Sequence, residues 1–419
     1  MTELSPQELA AEVYENYREF VNPPLARVMK ISGSPVEVRA EGCTVWDQNG
    51  KAYLDFAGGY GVFTLGHRHP RVLEAVRAQL DRMPLSSKTM FNVLLGSASR
   101  RLAELAPGDL RISFWCNSGT EAIEGAIKLA RAATHRAKIV STIDAYHGKT
   151  LGALSVSGRE AYQGPFRPLL ADSHTIAYGD RSELAESLQD AAAFVVEPVQ
   201  GEGGINVPPE GYLRAVREAC DATGALFIAD EVQTGLGRCG YRFACERDGV
   251  VPDVMTLAKG LSGGVVPVGA FIARPEPWAR AFGHAPLLHT STFGGSEIAC
   301  AAALAAMDVL EDEGLAENAR VRGAQLLEGA RAIAAEHPGV VREVRGLGLL
   351  VGVELVAEGY GGWIISDMLK GGVTAAWTLN AQRVIRLEPP LVVSAAEVER
   401  ALEVLRSSVA RAGSELGRL

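Results

Sequence analysis

The sequence has no cluster of basic residues and no long apolar segment, and each absence argues against a class of protein. Its 41 lysines and arginines are outnumbered by 50 aspartates and glutamates over 419 residues, so the formal charge is -9. Nucleic-acid binding needs clustered positive side chains, which argues against that partner. The polar, acidic beginning, MTELSPQELAAEVYENYREF, is unlike a secretory signal, and no apolar run is long enough to span a bilayer. We therefore expect neither a nucleic acid nor a membrane as a partner.

Paired cysteines are also missing. The sequence has no C-x-x-C pair and no cysteines grouped with histidines, although it contains six cysteines: Cys43, Cys116, Cys220, Cys239, Cys245 and Cys300. A chain of this length needs no disulfide frame, and a zinc site needs closer spacing. We expect free thiols in a cytoplasmic protein and no metal site.

The order of apolar and amphipathic segments predicts an α/β fold. At 419 residues the chain exceeds one ordinary core, which favours two lobes. Continuous apolar runs such as AAAFVV and ALFIAD alternate with helical patterns, as in a mostly parallel sheet covered by helices. We predict a large domain at 71–310 and a smaller α+β domain at 311–419, to which an N-terminal segment at 1–70 contributes.

The stretch CNSGTEAIEGAIKLA has the pattern of a strand, a turn and a helix. We predict the turn at Ser118, Gly119 and Thr120, and the helix from Glu121. Backbone N–H groups at a helix start, together with the Thr120 hydroxyl, can bind a phosphate. Ordinary helix capping explains the same residues equally well.

Asp230 ends a strongly apolar strand in ALFIADEVQTGLGR. Burying a lone carboxylate costs several kcal/mol unless a cation meets it, so Asp230 is either ion-paired within the protein or holds a cationic ligand atom. The same stretch contains a G-x-G-x-x-G pattern at Gly235, Gly237 and Gly240. A dinucleotide site would need this pattern to lead from the strand directly into a helix. Because it does not, we set aside the alternative of a nicotinamide dehydrogenase.

Two lysines follow strand-like runs, and only one has the surroundings of a covalent catalyst. Lys259 directly follows VMTLA, whose apolar side chains would lower the pKa of its amine, as a Schiff-base lysine requires. Lys149 lies in AYHGKTLGAL, where Tyr146 could lie flat on a planar ligand. A phosphate cradle, an aromatic face, a buried acid and an imine-forming lysine are together typical of a pyridoxal phosphate site.

The chain resembles the class III (subgroup II, ω-) aminotransferases of pyridoxal phosphate fold type I. The resemblance covers nearly the whole sequence, through the motifs LDFAGGYGVFTLGHRHP, CNSGTEA, AYHGKTLGALS, VEPVQGEGG, DEVQTGLGR, LAKGLSGG, HTSTFGG and IRLEPPL. It implies a large domain with a mostly parallel sheet between helices, a smaller α+β domain, and transfer of an amino group with pyridoxal 5'-phosphate as cofactor.

The resemblance also implies roles around the cofactor ring. Lys259 would bond covalently to the cofactor and move the proton between cofactor and substrate carbons. Asp230 would pair with the ring nitrogen, and Gln233 would approach the ring hydroxyl. Tyr146 would stack on one ring face while Val232 packs against the other.

At the phosphate, the resemblance assigns Gly119 and Thr120 to binding. We group Ser118 and His147 with these cofactor-binding residues. Thr292 of HTSTFGG resembles the threonine that reaches the phosphate of a neighbouring subunit, which implies a dimer with shared sites, open to further pairing into tetramers.

Glu202 and Arg386 resemble the gate pair of this family. The arginine there binds the substrate carboxylate in one half-reaction, and the glutamate holds it aside in the other. A purely structural salt bridge is the alternative reading.

Lys149 bears on the choice of amine. Ornithine and acetylornithine relatives carry arginine at this position as a planar carboxylate clamp, and lysine lacks that bidentate fork. The sequence is closer to the putrescine aminotransferases, but it departs from them at GGSEIAC and by carrying Trp363 and Trp377 in the small lobe, where either tryptophan could be core packing.

We therefore expect transfer from a terminal amine, such as a diamine or ω-amine, to an oxo acid such as 2-oxoglutarate or pyruvate, giving an aldehyde. One alternative is amination of a long-chain or polyketide-type aldehyde. Others are an ornithine, acetylornithine or 4-aminobutyrate aminotransferase, and a pyridoxal phosphate decarboxylase or aminomutase.

Overall fold

The computed structural model describes residues 4–416. Its strands, in chain order, are β1 Glu37–Glu41, β2 Thr44–Asp47, β3 Ala52–Asp55, β4 Ile112–Cys116, β5 Lys138–Thr142, β6 Ser173–Ile176, β7 Ala191–Val196, β8 Leu226–Asp230, β9 Val254–Leu257, β10 Gly269–Ala273, β11 Val341–Leu347, β12 Leu350–Leu355, β13 Val373–Thr374, β14 Ala376–Trp377 and β15 Val384–Leu387.

The α-helices are α1 Pro6–Asn16, α2 Pro23–Ile31, α3 Pro70–Arg82, α4 Val93–Leu105, α5 Gly119–Thr134, α6 Leu151–Ser155, α7 Glu160–Gln163, α8 Leu184–Ser187, α9 Tyr212–Thr223, α10 Pro275–Phe282, α11 Glu297–Asp312, α12 Leu315–Glu336, α13 Gly359–Lys370 and α14 Ala395–Leu416. None of the helices within residues 4–416 has both the length and the apolarity to cross a membrane.

The large sheet has the strand order β4-β10-β9-β8-β7-β5-β6. Neighbouring strands from β9 to β6 are parallel, whereas β10 runs antiparallel to both β4 and β9. Every residue of β7 and β8 is buried because helices cover both faces, with α5 against β9 and β10 and α9 against β7 and β8. The predicted α/β fold with a mostly parallel sheet is confirmed.

The smaller part of the molecule contains two four-stranded sheets, β1-β2-β3-β13 and β11-β12-β15-β14. β3 pairs in parallel with β13, so that Leu54 lies opposite Val373. This pairing joins an N-terminal strand to a C-terminal one across more than three hundred residues. The boundaries at residues 70 and 310 stay a prediction.

Because β10 is antiparallel to both of its neighbours, β4 points the same way as the parallel strands. The carboxyl ends of β4, β5, β7, β8 and β9 therefore lie at one edge of the sheet. Open α/β sheets bind their ligands at this edge.

Candidate active site

A cavity of about 590 Å³ lies at the carboxyl edge of the large sheet. The strand ends supply its wall, and it includes most of the residues that the sequence predicted for a cofactor: Ser118, Gly119, Thr120, Tyr146, His147, Asp230, Val232, Gln233 and Lys259. The structure thus brings these residues together from four strand ends in one site.

Lys259 stands directly after β9 and Ala258, at the first position of a short 3-10 turn, Lys259–Ser262. Its φ of 46° is in the left-handed region, which is uncommon for a residue with a side chain. Burial lowers the pKa of Lys259; the negative charges of Glu388 and Glu202 oppose this shift, and Arg386 adds to it. A lowered pKa leaves more of the amine neutral, which is the form that attacks a carbonyl carbon.

Asp230, at the end of β8, is 4% exposed and is held by three donors. Its Oδ2 lies 2.6 Å from Nδ1 of His147, and its Oδ1 accepts hydrogen bonds of 3.1 Å from the Thr256 hydroxyl and the Val232 N–H. Burial opposes protonation of His147, but the hydrogen bond and charge of Asp230, with Glu197, raise the pKa of this histidine. The carboxylate is therefore fixed in orientation at the cavity wall.

The predicted phosphate cradle lies at the start of α5. The prediction that the helix starts at Glu121 was wrong: it begins at Gly119, because the Ser118 hydroxyl caps it by accepting from the Glu121 N–H at 3.3 Å. The free N–H groups of this first turn point along the helix axis, as in phosphate sites. A Cβ added at Gly119 would lie 2.9 Å from Val232, and one at Gly148, where φ is 127°, would lie 2.2 Å from Oγ1 of Thr120. Glycine at these two positions thus leaves room beside the helix start.

Tyr146 and Gln233 are tied to buried carboxylates next to the cavity. The Tyr146 N–H donates to Oε1 of Glu197 at 3.0 Å. The Gln233 amide donates to both carboxylate oxygens of Glu388, at 3.2 and 3.0 Å. The predicted roles of Tyr146 on the ring face and of Gln233 at the ring hydroxyl stay predictions, but both side chains have fixed positions on the wall.

The expected gate pair is formed. Nη1 of Arg386 lies 2.6 Å from Oε1 of Glu202, and Arg386 is fully buried while Glu202 is 5% exposed. Burial opposes ionisation of Glu202, but Arg386 and Lys259 lower its pKa. Neither residue lines the cavity, and the Arg386 guanidinium lies 5.0 Å from the ring centre of Tyr60.

Thr292 is exposed and does not line the cavity of its own chain. Its assignment to a neighbouring subunit stays a prediction.

Trp363 packs in part against the main hydrophobic core, while Trp377 in β14 is 40% exposed. Lys149 lies at the cavity rim, with Nζ 3.3 Å from the ring centre of Tyr162.

The sequence reasoning missed three buried charged residues at the site. Glu197 follows the wholly apolar β7 and lines the cavity; burial raises its pKa to about 7. Glu388 follows β15, and Arg238 belongs to the glycine-rich stretch GLGRCG; both are fully buried. The signal that singled out Asp230, an acid directly after an apolar strand, also applies to Glu197 and Glu388.

The residues present fit pyridoxal phosphate. Asp230 faces the cavity as a fixed acid for a ring nitrogen, Nε2 of the adjacent His147 is buried without a partner, and Gly119 and Gly148 leave the space that a phosphate would need. Among residues 4–416 there is no group of three or more histidines, cysteines or acids placed to hold a metal ion.

Comparisons with known proteins agree with this geometry. The family model for class III aminotransferases matches residues 31–409. The chain is 45% identical to the putrescine aminotransferase of Pectobacterium atrosepticum, over 96% of this chain and 89% of the relative.

Solved structures give the same result. An ornithine aminotransferase from Toxoplasma gondii is similar with a TM-score of 0.90 and 34% identity, over 97% of this chain and 95% of the other. A pyridoxal phosphate-bound amine transaminase from an uncultivated Pseudomonas species has a TM-score of 0.85 and 31% identity, over 91% of this chain and 95% of the other.

Proposed function

The chain belongs to the class III aminotransferases, and we propose that its amino donor is a terminal amine, in the first place a diamine such as putrescine or cadaverine. The cofactor is pyridoxal 5'-phosphate. The proposed acceptor is an oxo acid such as 2-oxoglutarate or pyruvate, and the donor leaves as an aldehyde. The identity to a putrescine aminotransferase supports this choice of donor.

When bound, pyridoxal phosphate supplies an electron-accepting ring that allows an amino group to move between two carbons. The N–H groups at the start of α5 and the Thr120 hydroxyl would hold its phosphate. The Asp230 carboxylate, oriented by His147, would accept from the protonated ring nitrogen. Nζ of Lys259, with its pKa lowered by burial, would take the proton from the carbon that bears the donor amine.

The observation that carries the proposal is the closed ion pair between Glu202 and Arg386. In this arrangement the positive charge of Arg386 is balanced by Glu202, and Nη1 of Arg386 already donates to that carboxylate. The site therefore accepts an amine without a carboxylate. Release of Arg386 by Glu202 would present the guanidinium to the carboxylate of an oxo acid. One pocket can therefore serve both half-reactions.

Lys149 supports a donor without a carboxylate at its far end. A guanidinium at this rim position could bind a carboxylate with two parallel hydrogen bonds, whereas the Lys149 ammonium is a point charge stacked on Tyr162. An ornithine, acetylornithine or 4-aminobutyrate donor would lack that clamp.

The test is a donor screen on the purified, cofactor-loaded enzyme with diamines, ω-amino acids and alkyl amines. Diamines should give the highest kcat/KM. A preference for ornithine or acetylornithine would contradict the argument from Lys149. Conversion of the cofactor to its amine form by donor alone, reversed by oxo acid, separates an aminotransferase from a decarboxylase or aminomutase.

A second candidate is amination of a long-chain or polyketide-type aldehyde. It is favoured by Trp377, 40% exposed, and Leu379, 39% exposed, on a segment whose Leu379 carbonyl accepts from Arg159 and Tyr162 near the rim. These side chains offer an apolar surface to the alkyl part of a long aldehyde substrate. In the same screen, a kcat/KM that rises with alkyl length and exceeds that of diamines would favour this candidate.

We also propose that a second copy of the chain covers the exposed apolar surface around Thr292. Phe91 is fully exposed, Met90 is 81% exposed and Phe293 is 58% exposed. Nζ of Lys88 joins their two segments by donating to the Gly294 carbonyl at 2.6 Å.

Six free, buried cysteines support a reducing cytoplasmic location.

Light scattering should give twice the mass of the chain, and Phe91→Asp should lower it to that of a monomer. A variant with Thr292→Val should remain a dimer but bind the cofactor more weakly. A monomeric wild type would contradict the shared site.

A further inference from the structure

Four buried charged side chains next to the cavity alternate in sign. We call them the gate cluster: Arg238, Glu388, Arg386 and Glu202. Nε of Arg238 lies 3.7 Å from Oε1 of Glu388, Nε of Arg386 lies 3.4 Å from Oε2 of Glu388, and Nη1 of Arg386 lies 2.6 Å from Oε1 of Glu202. The pair that the family resemblance predicts is therefore only half of a larger cluster.

Glu388 is held rigidly in this cluster. It has no exposed surface, its N–H donates to the Phe56 carbonyl at 2.7 Å, and both of its carboxylate oxygens accept from the Gln233 amide. Gly61 packs so closely that an added Cβ would lie 2.6 Å from Oε1. The carboxylate therefore cannot swing away from Arg386, whereas Glu202 lies on the loop that follows β7.

The charges of the gate cluster cancel only because Glu388 is present. Arg238 and Arg386 contribute two positive charges, and Glu202 and Glu388 two negative ones. A neutral side chain at position 388 would leave one uncompensated positive charge, in a buried region that also contains Lys259. A buried charge is screened only weakly by water, so it would repel a donor that keeps a second, unreacting ammonium group in the cavity.

We propose that Glu388 is a specificity-determining residue, the fixed counter-charge that allows a donor with a second ammonium group to bind beside Arg386. The proposal rests on the diamine donor proposed above. Glu388 does not line the cavity, but it accepts hydrogen bonds from Gln233, which lines it. Glu388 would therefore act on the donor through its charge and not by contact. It also gives Arg238, in the stretch GLGRCG, a role as the counter-ion of Glu388.

The experiment compares two donors of equal length, putrescine and n-butylamine, in the wild-type enzyme and in Glu388→Gln. The amide of glutamine keeps the size of the side chain and removes its charge. We expect KM for putrescine to rise about tenfold more than KM for n-butylamine, while KM for the oxo acid stays equal or falls. A defect in folding or in the cofactor site would change both donors together.

The double variant Arg238→Gln/Glu388→Gln is the matched control, because it removes one charge of each sign. It should bring the ratio of the two KM values back toward that of the wild type, whereas a purely structural role for Glu388 predicts no recovery.

An equal change for both donors in Glu388→Gln overturns the role of Glu388 and leaves the proposed function intact. If the double variant does not fold, the ratio in the single variant still decides. Failure of the wild type to convert putrescine at all overturns the diamine assignment, and this proposal with it.

Discussion

Nδ1 of His147 lies 2.6 Å from Oδ2 of Asp230, and the other ring nitrogen of His147 has no partner within residues 4–416. The two residues come from the ends of different strands, and both are buried. The histidine thus holds the acid that we propose for the cofactor ring nitrogen. Removing it would leave a buried carboxylate with only its Thr256 and Val232 donors.

We predict that His147→Phe weakens binding of pyridoxal phosphate by about ten- to a hundredfold, since losing a hydrogen bond to a charged group costs about 1.5–3 kcal/mol. Titration of the apoenzyme with cofactor, followed by absorbance, measures the effect. His147→Asn, which keeps a nitrogen donor, should lose less. Equal affinities in all three proteins would show that the histidine does not support Asp230.

Lys259→Ala should abolish the visible absorption of the lysine-bound cofactor together with transamination. The reason is that Lys259 lines the cavity and is the proposed proton carrier. Lys149→Ala is the control, because that lysine lies at the rim and should leave the absorption unchanged. If colour and activity survive in Lys259→Ala, the covalent assignment is wrong.

Glu197 should make stability depend on pH. Burial raises its pKa to about 7, with Asp230 adding to the shift and His147 opposing it. A raised pKa means that the folded state holds the proton more tightly. This contribution to stability is present below the usual value near 4.5 and is lost as the pH rises through about 7.

Relative to Glu197→Gln, the wild-type enzyme should therefore lose up to about 3 kcal/mol of unfolding free energy between these two pH values. Urea unfolding of both proteins at matched pH values measures the difference, in which the titration of groups distant from Glu197 cancels. A difference that is constant with pH would mean that Glu197 does not titrate in this range.

Arg386→Lys should separate the two half-reactions. Lysine keeps the charge but loses the planar fork for a carboxylate, so KM for 2-oxoglutarate should rise at least about tenfold. The amine half-reaction, in which the arginine is paired with Glu202, should change much less. Single-turnover spectra with donor alone and then with oxo acid give both rates. Equal losses in the two half-reactions would point to a structural salt bridge instead.

The sequence predicted the residues of the cavity wall better than those behind it. Asp230 and Lys259 could be found because Asp230 ends an apolar strand and Lys259 comes shortly after one, and a polar side chain at a strand end in an α/β fold faces the ligand edge. The start of α5 was misplaced by two residues, because the sequence alone does not fix which of several neighbouring residues is the first of a helix.

The other half of the gate cluster, Arg238 and Glu388, could not be predicted in the same way. Arg238 and Glu388 are 150 positions apart in the chain, and they meet only because the turn after β8 packs against the end of β15. Their pairing depends on tertiary structure, which no local pattern contains. The antiparallel β10 inside an otherwise parallel sheet was missed for a similar reason, since its apolar run does not reveal its direction.

Lys149→Arg should broaden the choice of donor. At present Nζ of Lys149 lies over the ring of Tyr162, and burial together with Arg159 lowers the pKa of this lysine, while Glu202 opposes the shift. An arginine at the rim would offer two parallel hydrogen bonds to a carboxylate, so kcat/KM for 4-aminobutyrate should rise severalfold, by about 1 kcal/mol in transition-state binding. Putrescine has no carboxylate to bind there, and its kcat/KM should stay equal or fall. Lys149→Met, which keeps an unbranched side chain of nearly the same length and removes its charge, separates the effect of the fork from the loss of the ammonium. A rise for both donors, or for neither, would mean that the residue at position 149 does not select the donor.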